Sequence, residues 1–297
     1  QLLIDFGETI TIFRSICTTK EKRKITHESD RHNFLSFNSI MIREVESFGK
    51  TLLIEQDLRM VNREAGAMIW DSSFVLMKSF ENMDRYPTGH FAGKTILELG
   101  SGTGVLSIVL LLLMDAGHVV LTDKQVLLPL MEHNIALNTS SRGGDDDVGG
   151  DDEDVRVEIV NDNSRLKDRY TVKELLWGET PIDQSFDHVI ICDCVYESKD
   201  MWMPLAKCLQ MVADVNPEVE ILLCYELRSH KDAAFFPYIT QFFCVTPIDE
   251  QDYHPDWYTP EIKIFTLRKH KDGEQRDRSM TISEIIAVPK SIKEQQD

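Results

Sequence analysis

Between residues 94 and 138 the chain alternates short apolar runs with longer ones, and this rhythm constrains the fold more than any other feature. KTILELG (94–100) is a short, continuous apolar strand, and VLSIVLLLLMDAG (105–117) reads as a helix ending at Gly117. HVVLTD and QVLLPLMEHNIALN repeat the pair. VRVEIVN, FDHVIICDCVY and VEILLCYELR read as strands three to five. KDMWMPLAKCLQMVADV is the helix after the fourth strand, and AAFFPYITQFF holds the helix after the fifth. Strands and helices in this order predict a parallel α/β sheet with helices on both faces. Strands covered on both faces should be almost entirely apolar, and VIIC and ILLC are.

Two further strands, CVTPID and EIKIFTLRKH, follow, joined by EQDYHPDWYTP. That joint is too short and too proline-broken for a crossover helix, so an antiparallel hairpin is expected there. Upstream, SIMIREVE and KTLLIEQD around SFG predict a β-hairpin. AGAMIWDSSFVLMKSFEN (65–82) reads as a helix entered near Trp70 and Asp71. The expected organisation is an N-terminal extension with this hairpin (1–64), an α/β domain (65–270) and a charged flexible tail (271–297). Residues 139–154, rich in Gly, Asp and Ser, are expected to form a disordered acidic insertion.

Composition excludes some partners. The net charge of −18 argues against non-specific binding to nucleic acid or an anionic membrane. DDDVGGDDED (145–154) holds seven acids, yet the remainder is still acidic and would suit a basic protein surface as well as simple solubility. No apolar run approaches the roughly 18–20 residues of a membrane helix. QLLIDFGETITIF has no basic region ahead of it, so no secretory signal is expected. The six cysteines have no zinc-ribbon spacing and no histidine at ligand distance, so no metal is expected. Reduced, buried thiols in a cytoplasmic or nuclear protein are the expectation.

The first strand-to-helix turn is LELGSGTGV (97–105). In open α/β sheets ligands bind at the carboxyl ends of the strands, where glycines let backbone approach a ligand closely. Asp123 ends the second strand and can accept both hydroxyls of a ribose. A dinucleotide and S-adenosylmethionine both carry that ribose, but the spacing separates them. Gly100, Gly102 and Gly104 form G-x-G-x-G, not the G-x-G-x-x-G that seats a pyrophosphate on a helix N-terminus. S-adenosylmethionine presents an ammonium instead, for which Glu98 is a nearby acceptor. No Gly-Lys-Ser/Thr follows, which excludes a nucleoside-triphosphate loop. After the fourth strand, DCVY places Asp193 and Tyr196 where a pocket would open over the cofactor.

Taken together, ELGSGTG, LTDKQVLLPLMEHN, LLWGE (175–179) and DCVYE resemble the seven-strand protein lysine methyltransferases, methyltransferase family 16, of the methyltransferase-like 21 type. AMIWDSSFVLMKSFE resembles that family's upstream Trp-Asp helix. The resemblance covers roughly residues 38–270. It implies a Rossmann-like class I methyltransferase fold, S-adenosylmethionine as cofactor, and a protein lysine as acceptor. It further implies that Gly100, Ser101 and Gly102 line the methionine end and that Asp123 holds the ribose. Trp177 would flank the adenine, Trp70 would touch the cofactor, and the Cys192 backbone would lie along it. Asp193, Tyr196 and Glu226 would border the lysine channel. Core packing is the alternative role for both tryptophans.

Within the family, CYELR (224–228) and DYHPDWYTPEIKIFTLRK (252–269) look most like the branch that methylates the AAA ATPase called valosin-containing protein. Rival readings are methylation of a chaperone, an elongation factor or a small molecule, or a cofactor-binding module without catalysis. A monomer is expected.

Overall fold

The computed structural model describes residues 2–5, 10–13, 40–139, 166–196, 199–228 and 234–271. The expected insertion beyond residue 139, the expected strand VRVEIVN and the tail beyond 271 lie outside them. Near the start, β1 (Leu2–Asp5) and β2 (Ile10–Phe13) pair antiparallel.

Seven strands form the central sheet: β5 (Thr95–Leu99), β6 (His118–Asp123), β7 (Tyr170–Glu174), β8 (His188–Cys192), β9 (Glu220–Glu226), β10 (Phe243–Pro247) and β11 (Ile262–Lys269). Their order is β10-β11-β9-β8-β5-β6-β7. Only β11 runs against its neighbours, as the proline-broken joint predicts. The strand beside β6 is YTVKE, which the sequence reading did not identify; its few apolar residues reflect its place at the sheet edge, with one neighbour among the described residues.

The period-2 alternation of the strands sorts their side chains into two cores. Ile96, Val119, Leu121 and Ile190 pack with helices α1 (Asp71–Ser79), α2 (Val105–Leu112) and α3 (Leu128–Thr139). Leu97, Leu99, Val120 and Ile191 point the other way, against α4 (Lys199–Val215) and α5 (Phe235–Ile239). Residues 105–111 of α2 are all buried, which explains a helix apolar on every side. It ends near Leu112 rather than Gly117, and Asp115 turns back with φ 53°.

The expected hairpin is β3 (Ile40–Ser47) and β4 (Lys50–Asp57). Phe48 and Gly49 both have positive φ, the requirement of the tight two-residue turn that matches strand twist. Glu81, just past α1, accepts the Phe48 N–H at 3.0 Å and so holds this turn onto the helix.

What joins the hairpin to the domain is a pair of asparagines on α3. Asn138 accepts the Leu53 N–H and donates to the Leu53 carbonyl, both at 2.8 Å. One turn earlier, Asn134 accepts the Glu55 N–H at 2.7 Å and donates to the Glu55 carbonyl at 3.0 Å. Four helical residues rise about 6 Å and two strand residues about 6.6–6.8 Å, so the two amides match the backbone spacing of β4. Asn134, fully buried, also donates to the Thr103 carbonyl of the glycine turn at 2.9 Å. Replacing Asn134 with Ala strips partners from three backbone groups and should cost about 2–3 kcal/mol in urea unfolding, against about 1 kcal/mol for the more exposed Asn138→Ala.

Candidate active site

The carboxyl ends of β5, β6, β8 and β9 converge on one edge of the sheet, and the candidate residues sit there. Beyond β5 the chain runs through Gly100, Ser101, Gly102, Thr103 and Gly104 into α2. Gly102 has φ 55°, and a Cβ on it would meet the Gly66 carbonyl oxygen at 2.6 Å. Gly100 has φ 69°, and a Cβ there would meet the Cys194 sulfur at 2.6 Å and the Trp177 ring at 3.1 Å. Both positions demand glycine on conformation and on space.

The loop is tied to β6. Ser101 N–H donates to the Thr122 carbonyl at 2.9 Å, and the Thr122 N–H donates to Ser101 Oγ at 3.0 Å. Gly102 N–H donates to Asp123 Oδ2 at 2.9 Å, while Lys124 N–H donates to Asp123 Oδ1 at 2.8 Å. Burial raises the Asp123 carboxyl above the ordinary range, and these two N–H groups oppose the rise. Each oxygen keeps an acceptor site for a ligand hydroxyl.

Glu98 lies beneath the loop, buried and bonded to the Ser107 hydroxyl of α2. Burial pushes its carboxyl up to about 7, with the serine hydroxyls pulling it down. An arriving cation would favour its ionised form. Cys194 seals the loop from the other side, donating to the Leu99 carbonyl at 3.3 Å. Burial pushes its thiol well up, so this sulfur acts as a small apolar filler. Trp177, partly buried beside Gly100, lies in the turn after β7.

The upstream segment approaches from the α1 face. Trp70 Nε1 donates to the Ala65 carbonyl at 2.8 Å, which shapes the turn that presents Gly66 to Gly102. Gln56 of β4 accepts the Ile69 N–H at 2.9 Å and fixes the same segment. Cys192 ends β8, half-buried, with Ser73 Oγ at 3.6 Å from its sulfur.

One step further, Asp193 has φ 57°, an uncommon backbone for a non-glycine residue and one found at functional turns. Its side chain is only 3% exposed. Arg228 grips it with Nη1 donating to Oδ1 at 2.6 Å and Nη2 to Oδ2 at 2.5 Å. Arg228 Nη2 also donates to Glu226 Oε2 at 2.6 Å, and its guanidinium lies over the Trp70 ring, 5.1 Å from the centroid. Burial raises the Glu226 carboxyl to about 7; Arg228 opposes this, and Asp193, Asp71 and Glu261 add to it. Tyr196 is half-buried three residues past Asp193.

Thus Gly100, Ser101, Gly102, Asp123 and Trp177 gather around the loop, with Glu98 below it. Asp193 and Glu226 gather separately around Arg228, with Trp70 against it. Sequence reasoning missed Gly66, Cys194 and Arg228. The spacing of Glu226 and Arg228, two residues apart at a strand end, was the available signal for the last.

A glycine cradle that no Cβ could enter, a carboxylate at the second strand end and a buried acid below fit a methyl-donor site. The fold and site therefore define a class I methyltransferase using S-adenosylmethionine. A family model described as lysine methyltransferase, methyltransferase family 16, matches residues 47–148 and 144–242, and the chain belongs to that family. The protein N-lysine methyltransferase METTL21A of Mus musculus is 25% identical over 230 residues, spanning 76% of this chain and 86% of that protein. EEF1A lysine methyltransferase 3 of Xenopus tropicalis is 27% identical, spanning 72% of this chain and 73% of that protein. The protein-lysine N-methyltransferase EFM6 of Saccharomyces cerevisiae is 27% identical, spanning 68% and 80%. The chain is an S-adenosylmethionine-dependent protein-lysine N-methyltransferase.

Gly102→Ala should weaken S-adenosylmethionine binding by about tenfold or more in calorimetry, because the added methyl group meets the Gly66 backbone and alanine is strained at this positive φ.

Proposed function

We propose that the methyl acceptor is a lysine of valosin-containing protein and that Asp193, Tyr196 and Glu226 receive it. The observation that carries the site assignment is the pair of carboxylates, Asp193 and Glu226, at the carboxyl ends of β8 and β9 beside the glycine cradle. The substrate assignment is supported by the likeness of CYELR and of residues 252–269 to the branch acting on that ATPase. A second acceptor, an elongation factor, is favoured by the name of the Xenopus relative.

When bound, S-adenosylmethionine supplies a methyl group already activated on a sulfonium, so the protein contributes mainly alignment. In this reading Asp123 accepts the ribose hydroxyls, Glu98 faces the ammonium end, and Gly100, Ser101 and Gly102 admit the methionine chain. Trp177 flanks the adenine. Trp70 and the Cys192 backbone border the cofactor on the other side. The acids attract the substrate's ammonium and Asp193 orients its nitrogen. Glu226, raised to about 7 by burial, is matched to take the proton that the amine must lose near neutral pH. Tyr196 restricts rotation of the amine by packing and hydrogen bonding. In this reading the chain acts as a monomer. The acidic net charge fits a basic target surface in the cytoplasm or nucleus.

Incubating cell extract with labelled methyl donor and sequencing the labelled protein by mass spectrometry tests the acceptor. Label on a lysine of valosin-containing protein is expected, and label only on RNA or small molecules would overturn the reading. Asp193→Asn should lower turnover by about 100-fold while S-adenosylmethionine affinity stays within about threefold. Normal turnover in that variant would remove Asp193 from the role given to it.

A further inference from the structure

Four carboxylates crowd the acceptor side of the site: Asp193 after β8, Glu226 at the end of β9, Asp71 at the start of α1 and Glu261 just before β11. Like charges at this density repel, and a buried carboxylate with no counter-charge is costly. Arg228 meets that need with a specific geometry. Its two terminal nitrogens take both oxygens of Asp193, and one of them also reaches Glu226. The flat face of the same group rests on Trp70. The backbone beneath is pinned on both sides. Asp193 N–H donates to the Cys224 carbonyl at 2.9 Å, and Leu227 N–H donates to the Glu261 carbonyl at 3.0 Å.

We propose that Arg228 is a positioning residue for methyl transfer: one planar cation orients Asp193 and Glu226 together and braces them on Trp70. The inference rests on the acceptor-site reading given above. Trp70 also shapes the turn that carries Gly66 against the glycine loop. Arg228 is therefore the link between the acids that meet the lysine and the segment that flanks the cofactor cradle.

Two consequences separate this role from simple support of the fold. A lysine at position 228 keeps the charge but has neither a two-pronged grip nor a flat face. A glutamine removes the charge, so Glu226, still faced by Asp193, Asp71 and Glu261, should bind its proton more tightly. The acidic limb of the rate profile would then move to higher pH, since the ionised carboxylate is the form that accepts a proton.

The test uses R228K and R228Q in the full chain, with tritiated S-adenosylmethionine and, as methyl acceptors, recombinant valosin-containing protein and heat-treated cell extract, from pH 6 to 9.5. R228K should lose about 30-fold in kcat with S-adenosylmethionine affinity within about threefold and the acidic limb unmoved. R228Q should lose at least as much, with the limb raised by about one pH unit. R228K within threefold of the wild type, or a limb unmoved in folded R228Q, would overturn the inference. Should R228Q fail to fold, the kcat of R228K alone decides. If the wild-type protein labels no lysine in either acceptor, the acceptor-site reading itself fails and takes this inference with it.

Discussion

The hydrogen bond from the Gly102 N–H to Asp123, together with the exchange between Ser101 and Thr122, holds the site in its working shape. A turn of three glycines has little conformational preference of its own and loses much entropy when ordered. Binding it to the end of the neighbouring strand supplies that order before any ligand arrives. The same carboxylate that fixes the loop keeps acceptor capacity, so under the proposed function one residue would serve as both anchor and ribose partner. Asn134 extends the restraint outward, tying the Thr103 carbonyl to α3 and through it to the hairpin.

Around this anchor the charges divide by task. Beneath the loop a buried acid, Glu98, faces α2, its carboxyl pushed up to about 7 by burial. On the proposed acceptor side two acids, Asp193 and Glu226, share one guanidinium. Under the proposed function, Asp193 and Glu226 would offset the repulsion between an incoming ammonium and the sulfonium. Arg228 limits the excess, since too negative a pocket would hold the lysine in its protonated, unreactive form.

The sequence revealed the strand-helix alternation because both-face burial leaves strands such as HVIIC and EILLC almost wholly apolar. It also revealed the glycine turn, Asp123 and the antiparallel ending, each of which depends on residue type at fixed spacing. β7 escaped, since YTVKE carries only two apolar residues, too short a pattern to stand out. Gly66 and Cys194 escaped because their importance lies in contacts to the loop made across the fold, which local pattern does not encode. Arg228 stood inside a motif already in view, but its partner Asp193 lies 35 residues away in sequence, brought close only by the parallel pairing of β8 and β9. The hairpin's attachment through Asn134 and Asn138 was equally hidden, because two asparagines at helical spacing look like ordinary solvent-facing residues.

Under the proposed function Asp123 both holds the glycine loop and receives the cofactor. Calorimetric titration of S-adenosylmethionine into the wild-type chain and Asp123→Asn tests it most directly. Saturable one-site binding by the wild type is expected, with a loss of about 100-fold or more in the variant, since the amide group can no longer serve loop and ribose as an anion does. Equal affinity in the two proteins would remove Asp123 from both roles.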